Sequence, residues 1–413
     1  MLKLFKENKM FRVFLAYQAF SGLGQGMFQL FILLSVHLIY QNPIYTGIAG
    51  FLMAGPSILS FVIGPIVDRK NKVTIMRLTS VLEFLSVALL AFVPFQENFG
   101  VWFMFMVILI FSLSSLFEVP SSNALLPQIV HEDDIMRANS LVNIAALTGG
   151  IGIATLLFVS LRGGEVDFSL LFGFSSAFIA IAFIFSLFLR DSLAKKPQSP
   201  QKPPKNYLKD LKEGAKFLKQ NILLYIVIAA VAKNFVIQIA SVNTPMFAEY
   251  HVGADGYILL TLMGLIGGIA ASYFVGIFGS RLKVGKLIFV LFAIAGMVRV
   301  VFALVLPHHY IGGLAVLVLY AALGGSLNIV FQSLRQKLPP KDMVGRIETI
   351  STTLSAVFLA IGALIGGFLG NALPVVDHIF IYQGIAYTVI GIIVILVPKI
   401  RKLPKMNDIQ KED

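Results

Sequence analysis

Twelve runs of about twenty apolar residues, each nearly free of charge, dominate this sequence. They fall near residues 11–39, 46–67, 73–93, 101–122, 138–161, 168–189, 221–248, 256–279, 286–306, 311–333, 347–370 and 378–398. A run of that length matches the hydrocarbon thickness of a bilayer. In lipid, a chain this apolar satisfies its backbone as helix. The expected fold is therefore all-α, a polytopic membrane protein with twelve transmembrane helices, numbered here as spans 1 to 12. Charged residues are 13% of the chain, against about 25% in soluble domains, so lipid must cover most of this surface. The first run is too long for a cleaved signal peptide, and none is expected. With no cysteine, disulfides, thiol catalysis and thiolate metal sites are excluded.

The net charge of +12 would suit nucleic acid, but its distribution argues otherwise. With the N-terminus in the cytosol, 30 of the 33 Lys and Arg lie on the cytosolic side. One, Arg162, lies outside, and Lys233 and Arg299 lie within spans. That asymmetry is the positive-inside pattern. It predicts a plasma-membrane protein with both termini cytosolic, in contact with membrane lipids and not with nucleic acid.

The one long polar stretch, Asp191 to Asn221, separates six spans from six. Its Pro/Lys-rich first part reads as a linker and Tyr207 to Leu218 as an amphipathic helix. The expected organisation is a six-helix bundle over 1–190, a cytosolic linker over 191–220, a second six-helix bundle over 221–400 and a cytosolic tail over 401–413. The halves echo each other: Gly64-Pro-Ile-Val-Asp-Arg69 aligns with Gly276-Ile-Phe-Gly-Ser-Arg281, and Gln128 to Arg137 aligns with Gln336 to Arg346 across one gap.

Two six-span halves joined by a basic loop resemble the major facilitator superfamily. Gly64, Asp68, Arg69 and Lys72 match its G-x-x-x-D-R-x-G-R signature between spans 2 and 3, with Asn71 in place of the second glycine. Asparagine tolerates the left-handed turn conformation expected there. The segment Asn123 to Leu141 is similar to the macrolide-efflux and siderophore-exporter branch. The resemblance implies a cytosolic gate. In it Asp68 would sit against the start of span 11, where a helix dipole favours a carboxylate, within a charge network that includes Arg69, Lys72, Arg137 and Arg346.

The resemblance also implies a cavity lined by spans 1, 4, 7 and 10, and these spans carry polar stripes. Span 1 has Gln18, Gly22, Gln25 and Gln29 on one helical face. Span 4 offers Ser114, Ser115 and Glu118, span 7 offers Lys233, Asn234, Gln238 and Ser241, and span 10 offers Asn328 and Gln332. Such groups are costly in lipid, which favours a water-accessible cavity, although interhelical hydrogen bonding explains any one stripe. Glu118 is the first candidate for proton coupling and Glu83 the second. Lys233 could hold an anionic substrate group or neutralise Glu118. Glu83 and Arg299, on spans 3 and 9, are expected at the periphery, snorkelling or structurally paired. Gly362, Gly366 and Gly370 in span 11, with Gly264, Gly267 and Gly268 in span 8, are expected where the halves meet. Span 5 carries Thr148-Gly149-Gly150-Ile-Gly152 but not the proline-containing glycine motif of antiporters.

No H-E-x-x-H is present, and Gly279 to Leu287 misses the P-loop pattern by one spacer and its Ser/Thr. His308 and His309 read as a solvated pair. The expectation is a non-enzymatic, monomeric secondary transporter needing no cofactor or metal, a proton-coupled exporter of amphipathic small molecules. A lipid or glycolipid flippase and a nutrient importer of the same fold are the alternatives.

Overall fold

The computed structural model describes residues 8–92, 98–131, 167–190, 207–278, 282–340 and 343–408, with Asp134, Ala138, Leu141 and Val142 besides. Eleven helices among the described residues are long and apolar enough to cross a membrane. The remaining expected span, 138–161, lies almost wholly outside the described residues, as does its glycine segment 148–152. The chain divides into two compact units, one from residues 1–41 and 52–203, the other from residues 42–51 and 204–413.

In the first unit, α1 (Lys9–Tyr40) packs on α6 (Phe168–Leu187), and α4 (Lys72–Leu90) packs on both α5 (Asn98–Ile129) and α6. Gly24 makes the α1–α6 approach possible, since a Cβ there would stand 2.8 Å from Ser175 O. Ser175 Oγ in turn donates to Gly24 O at 2.8 Å. Span 2, whose residues 42–51 belong to the second unit, is not one helix. It runs as α2 (Pro43–Ala54), a 3-10 turn (Gly55–Leu59) containing Pro56, and α3 (Ser60–Arg69), because proline removes a helical donor and crowds the preceding turn.

Asn71 departs from the left-handed turn expected of it. Its φ is −66° and ψ 119°, and its side chain accepts from Thr74 N at 2.8 Å, capping α4. Asparagine is a preferred N-cap, and a cap takes extended backbone. Among the described non-glycine residues, the one with positive φ is Gln41, at φ 49°, which ends α1.

In the second unit, α7 (Tyr207–Gln220) precedes α8 (Leu223–Ser241), α9 (Thr244–Val252), α10 (Ala254–Phe278), α11 (Val284–Val305), α12 (Tyr310–Lys337), α13 (Val344–Ala372) and α14 (Asp377–Leu396). Span 7 breaks at Asn243, just before Pro245. There the Asn243 amide donates to Ile239 O and to Gly366 O, each at 2.8 Å, tying the break to α13.

The α13 glycines serve that packing. A Cβ at Gly362 would meet Phe235 O at 2.7 Å, and one at Gly366 would meet Ile239 O at 2.6 Å. Both therefore face α8 within this unit. On α10, Gly267 packs against α12, whereas Gly264 and Gly268 have nothing within 4 Å of a Cβ. The tail folds back, with Val284 N donating to Pro404 O at 3.0 Å. His309 caps α12, its Nδ1 accepting from Gly312 N at 3.1 Å.

Candidate functional site

Two polar clusters lie inside the units, one acidic and one basic. The first builds on α1, α4 and α5. The buried stripe of α4 runs through Val73, Met76, Ser80, Glu83 and Val87, at helical spacing, so Glu83 points inward. It is 1% exposed, and Glu118 on α5 is 4% exposed. Gln25 Nε2 donates to Glu83 Oε2 at 3.0 Å and to Glu118 Oε2 at 3.3 Å. Tyr17 Oη donates to Glu118 Oε1 at 2.8 Å, and Ser115 Oγ reaches Glu83 Oε1 at 3.3 Å. Ser21 lies beside Glu118. Among the described residues, no basic side chain forms an ion pair with either carboxyl. Two carboxyl groups on one amide, in apolar surroundings, can take up and release a proton between them.

Glu83 was expected at the periphery, snorkelling or paired. It is instead buried and joined to Glu118, because its position on the α4 stripe outweighs the peripheral place of span 3. The α1 face that meets the carboxyls carries Tyr17, Ser21 and Gln25, at i, i+4 and i+8, so that of the Gln18 to Gln29 stripe Gln25 alone is seen to reach them among the described residues. Tyr17 and Ser21 had a detectable signal in that spacing. Gln18 and Gln29 take no part, and Gln29 is exposed. Ser114 diverges from Ser115 and lines a groove of about 750 Å³ with Lys70, Thr74, Leu78 and Leu82.

The second cluster belongs to α8, α11, α12 and α14. Lys233, 1% exposed, donates from Nζ to Asn328 Oδ1 at 2.5 Å. Arg299 does not snorkel. It lies on the buried stripe of α11 and is 6% exposed, with Nε donating to Gln383 Oε1 at 2.6 Å. Its guanidinium carbon lies 4.5 Å from the Tyr320 ring centre, 4.7 Å from that of Phe380 and 4.9 Å from that of Phe302. Asn328, Ser241, Arg299 and Gln383 line one cavity of about 480 Å³. Asn234, Gln238 and Gln332 are not among its lining residues. Gln238 instead packs beside Gly362.

Of the expected gate, the side chains of Asp68 and Arg69, the surroundings of Gly64 and the whole of Arg137 lie outside what is described. Lys72 Nζ donates to Lys70 O at 3.0 Å. Arg346 pairs with Glu213 of α7 at 2.7 Å, and Arg335 forks onto Glu348 through Nε at 2.9 Å and a terminal nitrogen at 3.1 Å. No metal-binding group of His, Asp or Glu forms among the described residues.

Two helical units with buried carboxyls and cations inside their spans define a multi-pass membrane transport protein. Residues 13–363 match the sequence profile of the Major Facilitator Superfamily, and the chain belongs to that family. It is 23% identical over 370 residues to Macrolide efflux protein A of Streptococcus pyogenes, covering 86% of each chain. Among solved structures, it is similar to the nucleoside transporter NupG, with a TM-score of 0.75 at 15% identity, over 95% of this chain and 99% of that one. A D-xylose-proton symporter aligns with a TM-score of 0.72 at 13% identity, over 97% of this chain and 98% of that one.

Proposed function

We propose that this chain is a proton-coupled exporter that carries amphipathic, drug-like small molecules out of the cell by alternating access. It works as a monomer in the plasma membrane with both termini in the cytosol. The observation that supports coupling is the buried pair Glu83 and Glu118 bridged by Gln25. A proton held there on one side of the membrane and released on the other would drive the cycle. The outward direction rests on the likeness to Macrolide efflux protein A, since the fold is shared with a D-xylose-proton symporter. Gating falls to the Gly64 to Lys72 signature at the α3–α4 junction, with Asp68 as the closing carboxylate.

A second reading, lipid flipping, draws on the apolar groove beside α4, where Leu78 is 60% exposed. The groove lies at the N-terminal end of α4, the cytosolic end by the charge asymmetry, whereas flipping calls for an outward-opening one. Efflux of dyes, macrolides and siderophores from cells, with and without a protonophore, tests the proposal. Export of at least one compound, stopped by the protonophore, is expected. Efflux insensitive to the protonophore, or none at all, contradicts it.

A further inference from the structure

The 480 Å³ cavity of the second unit is lined by one guanidinium, by hydroxyls and by amides, with no carboxylate among its described lining residues. Arg299 carries five N–H groups. Its one hydrogen bond among the described residues uses Nε, on Gln383 Oε1. Gln383 Nε2 is committed as well, donating to Tyr320 Oη at 2.9 Å. The Tyr387 hydroxyl, fully buried, sits beside Tyr320 without a hydrogen bond of acceptable geometry. All four residues line the cavity. No carboxylate among the described residues pairs with Arg299, and the rings of Tyr320, Phe380 and Phe302 cover its guanidinium without neutralising it.

A buried cation with spare donors is costly unless an anion meets it. The second buried cation, Lys233, is not among the lining residues; it donates to Asn328, which is, and so holds that amide's oxygen. The rest of the wall is mostly apolar, with Ile237, Phe247, Leu260 and Leu317, and carries the hydroxyls of Ser241, Thr244, Tyr257 and Thr261. The volume falls within the range of about 300–1,000 Å³ typical of small-molecule sites. We infer that this cavity is a substrate subsite for an amphipathic monoanion, whose carboxylate or equivalent oxyanion meets Arg299 and whose apolar body lies against the aromatic wall. The inference rests on the transporter reading and narrows its substrates to compounds bearing an acidic group.

Binding to purified, detergent-solubilised protein tests this without any gradient, so its outcome is independent of proton coupling. Three labelled probes share one ring system: 1-naphthoate, 1-naphthylmethanol and 1-naphthylmethylammonium. The naphthoate should bind about tenfold tighter than either of the others, equivalent to about 1.4 kcal/mol. Arg299→Gln should erase that preference, and Arg299→Lys should restore part of it, since lysine keeps the charge but not the fork.

Gly268→Leu provides a variant that leaves the buried cluster untouched, because a side chain there enters open cavity space. It should block all three probes while the protein keeps its melting temperature. Equal affinity for naphthoate and the alcohol in the native protein would overturn the inference. So would undiminished naphthoate binding by folded Gly268→Leu or Arg299→Gln.

Discussion

Glu83 and Glu118, on adjacent helices of the first unit, accept hydrogen bonds from the same nitrogen, Gln25 Nε2. Among the described residues, the buried ionisable groups within the spans of the two units are of opposite kind. The first unit holds this acid pair, and the second holds Lys233 and Arg299.

Because the two carboxyls share a donor, their substitutions should not add. Glu83→Gln and Glu118→Gln should each cut uncoupler-sensitive export at least about tenfold, and the double variant should lose little more. Export rates in cells normalised to membrane expression measure this. Losses that multiply in the double variant would separate the two residues.

Much of this arrangement was legible in the sequence, for identifiable reasons. Apolar length alone located the eleven described spans, because backbone satisfaction in lipid admits few alternatives. The breaks at Pro56 and Asn243 were not, since a hydropathy run averages over a single proline or amide. Glu118, Gln25 and Ser115 were read from polar stripes. Tyr17 and Ser21 were not, because a phenol and a hydroxyl blend into an apolar helix more readily than a glutamine does. Glu83 and Arg299 were placed by helix number, when the buried stripe of each helix decides where a side chain points. The Asp68 gate remains a reading of the signature alone.

The glycines supply a contrast within one unit. Gly366→Ala would put its Cβ 2.6 Å from Ile239 O, whereas Gly264→Ala meets nothing within 4 Å. Overpacking of the first kind costs about 1–3 kcal/mol. Thermal melts of the detergent-solubilised protein should fall for Gly366→Ala and stay unchanged for Gly264→Ala. Equal melts would contradict the α8–α13 packing.

Arg346 and Glu213 join α13 to α7 through a pair whose side chains are 29% and 44% exposed. Pairs this exposed contribute about 0–1 kcal/mol. Glu213→Gln should therefore leave the melting temperature nearly unchanged. A large drop would show that α7 docking depends on that charge.

Orientation follows from the basic asymmetry. Single cysteines introduced at Asn42 or Gln96 of the cysteine-free chain should react with an impermeant thiol reagent in intact cells. One at Ser199 should react only after the membrane is opened. Labelling of Ser199 in intact cells would reverse the topology.

Proton coupling through the acid pair is the central claim, and proteoliposomes test it most directly. Vesicles holding the native protein, loaded with a labelled acidic dye that the efflux panel has shown to be exported, are given an imposed proton gradient. The native protein should move the compound against its concentration gradient, and a protonophore should abolish that movement. Glu118→Gln should lose this driven transport while still exchanging the compound across the membrane at equal pH. Protonophore-sensitive accumulation by Glu118→Gln, at the native rate, would contradict the account.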